Sequence, residues 1–329
     1  MAILANTFLS TAATMNREEL SGIVSRLDPE DTPIYSTISK GTAATTHPEW
    51  GTDSLNAPGN NVVTEGDEYA FDVTAAPVRY GNYTQILRKT AILSGSQDAA
   101  DEAGDVDKVK ETKLKRAIEL RKDVEFSIVT ANPSLGGNTR QSGSLSTWIT
   151  TNASRGATGA NGGFNAGTKL TVAPTNGTQR ALTRVFIDDV LQSAYQQGAN
   201  IKHMYFSAYA KRAFVTILSD PSIISFRKDV TGDGGDLTAV NNIEAYRGPH
   251  GTVMVHMDRV MGTAATARNA FMLDPGMVDW LWFRKIQTKD VAVTGDADKI
   301  VILGEGCLKV KNEKGIGVIA DIFGLTATT

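Results

Sequence analysis

The stretch from about Asp105 to Thr130 restricts what this chain can fold into more than any other. Val106, Val109, Ala117, Leu120, Val124 and Ile128 recur on a three- and four-residue spacing, with Leu114 and Ile118 beside them. That spacing predicts one apolar stripe along a helix. Asp105 and Asp107 suit the positive end of the helix dipole, and Glu111 precedes Lys115 by one turn. No Gly or Pro follows until Pro133. At about 1.5 Å per residue the rod is roughly 39 Å long. Its other faces carry Lys108, Lys110, Lys113, Lys115, Arg116, Glu119, Arg121, Lys122 and Asp123. Such a helix serves either as the spine of a β-rich domain or as a strut between subunits, and periodicity alone does not choose.

The rest of the chain has to be arranged around that rod. With 329 residues, 41% of them hydrophobic, it has enough material for two or three subdomains and a sizeable core. Residues 1 to 43 hold only short apolar clusters (Ile3-Leu4, Phe8-Leu9, Ile23-Val24) and need another surface to lie on. Asp31-Thr-Pro33 is a turn signal before an Ile34-Tyr35 anchor. A helix is expected over Thr178–Tyr195, with Leu182, Val185, Phe186, Val190 and Ala194 on its apolar face and Gly198 as its stop. Strand Ile201–Phe206 and helix Ala208–Leu218 follow. Then come strands at Leu237–Tyr246 and Thr252–Met257, flanking the turn at Arg247–Gly251. Further strands are expected at Phe271–Asp274, Val278–Lys285, Ile300–Val310 and Ile316–Ile322. This pattern predicts an α+β fold.

Between Thr45 and Ser94 the pattern is that of a long β-arm running out and back. One extended piece leads to Trp50, a second covers about Val78 to Leu93, and the tip falls near residues 53–68. No lysine occurs between Gly41 and Lys89, whereas Glu49, Asp53, Glu65, Asp67, Glu68 and Asp72 are acidic. An ordinary solvated loop accounts for part of this. About 50 residues of one-sided charge without helical period are nonetheless unusual inside a compact domain, and such arms usually reach a partner.

Several function classes are disfavoured by composition. Net charge is only −3, from 33 basic and 36 acidic residues, which argues against a dedicated nucleic-acid binder. The single cysteine, Cys307, excludes an internal disulfide and a Cys-based zinc site, and it reads as a small buried side chain. No apolar run approaches a membrane span, and Met1-Ala-Ile-Leu-Ala does not resemble a signal peptide, so cytoplasmic synthesis and assembly are expected.

The chemical motifs are near-misses. Gly162-x4-Gly167 is followed by Thr168-Lys169, the reverse of a phosphate loop's last two residues, and by Leu170-Thr-Val172 where a helix should open. Asp229, Asp233, Gly234 and Asp236 suggest a calcium loop, but Val240 stands where its bidentate Glu belongs, so an acidic turn is the simpler reading. His250 and His256 would lie about 20 Å apart along a strand, too far for one metal. His256 and Asp258 could face the same way without any nucleophile motif beside them, and His47 and His203 read as isolated. Nothing assembles a nucleophile, a base and an oxyanion site, so no catalytic residue, cofactor or protein-built metal site is expected.

Asp31-Thr-Pro33, Glu49-Trp50, Glu65-Gly66, Asn82-x-x-Gln85-Ile86, Ser94-Gly95 and Asp123-Val-Glu125 occur in the order seen in major capsid proteins of tailed bacteriophages. The chain most resembles the group typified by phage SU-ten, over essentially its whole length. Each motif is short, and the specificity lies in the series. The resemblance implies the Hong Kong 97-type capsid fold. In that picture residues 1–43 are an N-terminal arm, 44–92 the E-loop, and 93–177 the P domain with its spine helix at 105–130. Residues 178–280 form the A domain, and 281–329 return to the P domain.

The same resemblance implies a subunit that assembles into hexamers and pentamers of an icosahedral head around double-stranded DNA, with no membrane involved. Partners would be other copies of the chain, a separate scaffolding protein, a portal and decoration proteins, with genomic DNA only in non-specific proximity. Few residues precede the P domain, leaving no room for an N-terminal scaffolding segment, and the arm's tip lacks the cross-linking lysine of chain-mail relatives. The expected interface comprises Asp53, Val62, Val63, Glu65, Asp67, Glu68, Tyr69 and Phe71 on the E-loop. It faces Lys108, Lys110, Lys113, Lys115 and Arg116 on a neighbour's spine helix. Asp229, Asp233 and Asp236 are candidates for the capsomer axis, where a shared cation or protonation would offset their repulsion. The competing readings are a non-viral shell of the same fold, a tail or adhesion component, and a small-molecule hydrolase using His256 and Asp258.

Overall fold

The computed structural model describes residues 31–69, 71, 73–74, 76–96, 108–218, 244–289, 291–292 and 295–326. Helix α1 (Pro33–Thr37) and strand β1 (Ser39–Thr42) come first, then β2 (Glu49–Thr52), β3 (Val78–Gly81) and β4 (Gln85–Ser94). The long helix α2 spans Lys108–Val129, and the expected start at Asp105–Asp107 lies outside the described residues. Past α2 lie β5 (Ala153–Ser154), β6 (Gly163–Asn165), β7 (Leu170–Val172), α3 (Arg184–Gln196), β8 (His203–Phe206) and α4 (Ala208–Leu218). The last part holds β9 (Ala245–Gly248), β10 (Gly251–Met257), β11 (Ala270–Leu273), β12 (Val278–Lys289), β13 (Ala297–Val310) and β14 (Ile316–Ile319).

The long helix lies on a four-stranded sheet of order β1-β12-β13-β4. Alternation along β4 sends Leu87, Ala91 and Leu93 to the helix side, where with Ile300 and Ile302 of β13 they enclose Leu120. Lys89 shares that face, and its Nζ reaches Asp123 of α2 at 2.8 Å. Ile86 and Ile92 point to the opposite face and are exposed. The apolar stripe of α2 sinks fully only in its second half, at Leu120, Val124 and Ile128, while Leu114 stands exposed.

A six-stranded sheet of order β5-β14-β11-β8-β10-β9 separates two cores. Tyr205, Phe271, Leu273, Ile316 and Val318 join Val124, Ile128, Trp280 and Trp282 on one side. Their strand neighbours Met204, Phe206, Met272 and Ile319 point the other way, under Ile187, Val190, Leu191 and Ala194 of α3 and Phe214 of α4. The period of two thus buries both faces of this sheet.

Several expectations hold: α4 has the expected ends, Cys307 is fully buried in β13, and Gly248 pairs with Gly251 across the expected turn. Others are corrected. Helix α3 starts at Arg184 rather than Thr178, because the backbone before it pairs with the C-terminal segment (Arg180 N to Asp321 O, 2.7 Å; Phe323 N to Arg180 O, 3.1 Å). Its buried face runs through Ile187 and Leu191, leaving Val185 exposed. The return piece Val78–Leu93 is not one arm. Only β3 pairs with β2, whereas β4 leaves to join the four-stranded sheet. At the C-terminal end β12 and β13 pair in the four-stranded sheet, and β14 pairs with β11 and β5 inside the six-stranded sheet.

Candidate assembly surfaces

Two motifs of the series, Glu49-Trp50 and Asn82-x-x-Gln85, fasten an arm to its base. Trp50 Nε1 donates to Val310 O at 2.8 Å, and Thr52 Oγ1 donates to Lys311 O. Trp50, Tyr80 and Phe164 surround the buried Trp148, with the Trp148 and Phe164 rings stacked at 5.4 Å. Glu49 receives Lys169 Nζ at 2.7 Å from the β6–β7 hairpin, and this hydrogen bond is the main reason its carboxyl sits below the usual range. Asn82 is fully buried and donates to Leu308 O (2.6 Å), Ser142 Oγ (3.1 Å) and Gly143 O (3.3 Å), while its Oδ1 accepts from Gly143 N and Tyr83 N. Gln85 Oε1 accepts from Ser142 N.

Beyond that root the arm carries no strand among its described residues from Asp53 to Pro77. It turns at Glu65-Gly66, where Asp67 N donates to Thr64 O and Gly66 has φ +85°, the conformation a type II turn needs at its third residue. Leu55, Tyr69 and Phe71 are 97%, 90% and 93% exposed, and Val62, Val63 and Val73 are exposed beside them. Asp53, Glu65, Asp67 and Glu68 are exposed on the same segment.

The cations of α2 are partly neutralised at home. Glu111 holds Lys115 (2.7 Å) and Lys108 (3.6 Å), and Glu119 holds Arg116 (2.7 Å). Lys110 and Lys113 are exposed next to the exposed Leu114. Asp229, Asp233 and Asp236 lie outside the described residues.

No chemistry gathers around the other candidates. Gly162–Lys169 forms the β6–β7 hairpin, and Asn165 Oδ1 takes the Gly167 and Thr168 amides that a phosphate would require. His203 is not isolated, because parallel β8 and β10 bring its Nδ1 to 2.9 Å from His256 Nε2. Burial holds both imidazoles below their ordinary values. His47 lies against Tyr83 and 3.5 Å from Glu49. Asp258, the other half of the hydrolase alternative, is buried beside Glu125. Sequence reading missed Glu125 as a junction residue. Its Oε1 and Oε2 accept Ile34 N (2.8 Å) and Tyr35 N (2.7 Å), 91 and 90 positions away. An acid on the buried stripe of an amphipathic helix was the available signal. Among the described residues no group of His, Cys, Asp and Glu is placed to hold a metal, and no helix is long and apolar enough to cross a membrane.

The model of the SU10 major capsid protein family matches residues 6–323. The chain belongs to that family. Such proteins are structural components of the capsid, so the chain is a phage capsid protein of the virion rather than an enzyme. A major capsid protein of Escherichia phage Phieco32 is 30% identical over 125 residues, spanning 37% of this chain and 36% of that relative's length. The capsid asymmetric unit of cyanophage A-1(L) superposes with a TM-score of 0.67 at 13% identity, covering 96% of this chain and 99% of that one. Mycobacterium phage Bobi gives 0.61 at 10% identity, over 96% and 98%. The capsid of a native GTA particle gives 0.61 at 13% identity, over 95% and 98%. The fold is the Hong Kong 97-type capsid fold.

Proposed function

We propose that this capsid protein is the shell-forming subunit of a phage head, assembling with its own copies into hexamers and pentamers of an icosahedral shell around double-stranded DNA. The observation that carries the reading is the arm: large apolar side chains at Leu55, Val62, Val63, Tyr69, Phe71 and Val73 stand in solvent on one segment. A lone chain gains nothing from such a surface, whereas a neighbour would cover it. In this reading the arm is the E-loop, α2 the spine of the P domain, and the α3–α4 side of the six-stranded sheet the A domain. The separate scaffold, the portal, any decoration proteins and assembly in the host cytoplasm belong to the same reading.

The arm's acids Asp53, Glu65, Asp67 and Glu68 then meet the basic face of a neighbour's α2, formed by Lys108, Lys110, Lys113, Lys115 and Arg116. The pairs that Lys108, Lys115 and Arg116 make with Glu111 and Glu119 are partly exposed and exchange readily for the arm's acids. Leu114 offers the apolar counterpart to Tyr69 and Phe71. Each exposed pair contributes only about 0–1 kcal/mol, so the charges steer the encounter and the apolar contacts hold it. A second receiving face is favoured by the exposed Ile86 and Ile92 on the far side of the four-stranded sheet.

The test is electron microscopy of particles formed by E65K/D67K/E68K, L114E and I92E chains. Closed particles are expected from wild type, and their yield should fall in the triple variant, most at low salt, and in L114E. Loss in I92E with normal assembly of L114E would move the contact to the sheet. Normal assembly of the triple variant with unchanged salt dependence would refute the acidic contact.

A further inference from the structure

Helix α1 begins without a cap of its own. Thr32 occupies the N-cap position but makes no side-chain cap bond, and Pro33 follows it. The open N–H groups of Ile34 and Tyr35 are instead taken by the two carboxyl oxygens of Glu125 on α2. Glu125 is fully buried. Within its hydrogen-bonding reach lies Asp258, buried at the end of β10. Asp258 Oδ1 accepts Val260 N at 2.8 Å, the Met261 amide also faces the carboxyl, and among the described residues its buried Oδ2 has no hydrogen-bond donor.

Two buried carboxyl groups side by side, one with an orphan oxygen, need a proton between them. We propose that Glu125 and Asp258 share one proton and act as a latch on α1, holding it against α2 and β10 while the proton is present and loosening it when the proton leaves to solvent. The idea is independent of shell formation, since every group belongs to one chain.

Other charged groups facing the pair do not neutralise it. Lys40 of β1 feels Glu125, but its ammonium lies over the Tyr35 ring, and Arg121 of α2 donates to Ser36 Oγ. Tyr205 of β8 feels both carboxyls, and burial pushes its phenol up to about 12, so it stays neutral. Beyond it lies the His203–His256 pair, and outside Arg259 meets Asp31 at 3.5 Å. Burial, then the neighbouring carboxylate, pushes Glu125 up to about 8, and burial pushes Asp258 up to about 6. The pair titrates as a unit. Both folded values lie above the unfolded ones, so the folded state binds the extra proton. Stability of the joint is therefore highest at acidic pH and declines as pH rises toward 8.

Hydrogen exchange of the full chain, followed by mass spectrometry on the peptide covering residues 31–38, tests the latch. After correction for intrinsic rates, wild-type protection at Ile34 and Tyr35 should fall about tenfold or more between pH 6 and pH 9. Asp258→Asn supplies an N–H donor to Glu125 in place of the proton and should flatten that change. The double variant H203Q/H256Q should retain it. Infrared spectra of wild type provide a measurement without mutation, with a protonated-carboxyl band that disappears over the same range. Protection independent of pH, a step that survives in Asp258→Asn, a step lost with the histidines, or absence of the infrared band would each overturn the proposal.

Discussion

Glu305 and Glu125 show how one residue type, buried at two places, acquires opposite pH behaviour. Burial alone would raise Glu305, but hydrogen bonds from Thr84, Arg140 and Arg284 outweigh it and hold the carboxyl below the usual range. Arg140 Nη2 reaches Oε1 at 2.6 Å and Arg284 Nη2 reaches Oε2 at 2.7 Å. A depressed folded value means that this cluster's contribution is complete above the unfolded value and is lost as pH falls through the folded one. Both arginines keep part of their hydration, so replacing Glu305 by Gln should cost about 2 kcal/mol at pH 7, less than a fully buried pair would. Thermal melts of wild type and E305Q from pH 7 to pH 3 should converge as pH drops. A constant gap would contradict the charge argument. Asn82 belongs to the same scale. Its amide joins β13, the loop at 142–143 and the arm's root, and Asn82→Ala should cost roughly 3 kcal/mol by stranding several buried partners.

At the scale of elements, the arm depends on an aromatic cluster rather than on its own pairing. The β2–β3 ladder has only four residue pairs, too few to stand alone in water. Trp148, reaching Trp50 at 5.7 Å and Phe164 at 5.4 Å, ties that ladder to the body. Trp148→Ala should therefore cost about 4 kcal/mol and expose the amides of Glu49–Thr52 to exchange well before the six-stranded sheet opens. Simultaneous loss of protection in both regions would mean that the arm's root is not a separate unit. Helix α2 divides in a similar way. Its second half sinks into the core, whereas its first half packs on the sheet through Val109 and Ala117 and leaves Leu114 exposed.

For the whole molecule, the question is what holds one copy to the next. The arm from residue 51 to residue 77 contains no lysine, so its tip offers no amine for an amide cross-link to a neighbouring copy. Particles boiled in denaturant should give a single band near 35 kDa, the mass of one chain being 35.2 kDa. A ladder of multimers would show covalent joining by other groups. In the proposed assembly the shell would then rest on buried apolar area repeated around each capsomer, with surface charges guiding association.

Local pattern determined a good deal by itself. The spacing of Leu120, Val124 and Ile128 specifies a helix with one buried stripe, and Gly198 ends α3 with φ +83°. The acidic, lysine-free stretch around Glu65-Gly66 marked an arm, because neither a helical period nor a core-sized apolar run could form there. Tertiary structure alone decided the rest, because it depended on partners remote in sequence. Where α3 starts was settled by Arg180 pairing with Asp321 and Phe323. The departure of β4 from the arm was settled by ten register pairs with β13, some two hundred residues later. His203 met His256 only because parallel β8 and β10 run side by side. Glu125 illustrates the division most clearly: periodicity placed it on a helix, but the first turn of α1 and Asp258 arrive from distant segments, and they set both its role and its proton.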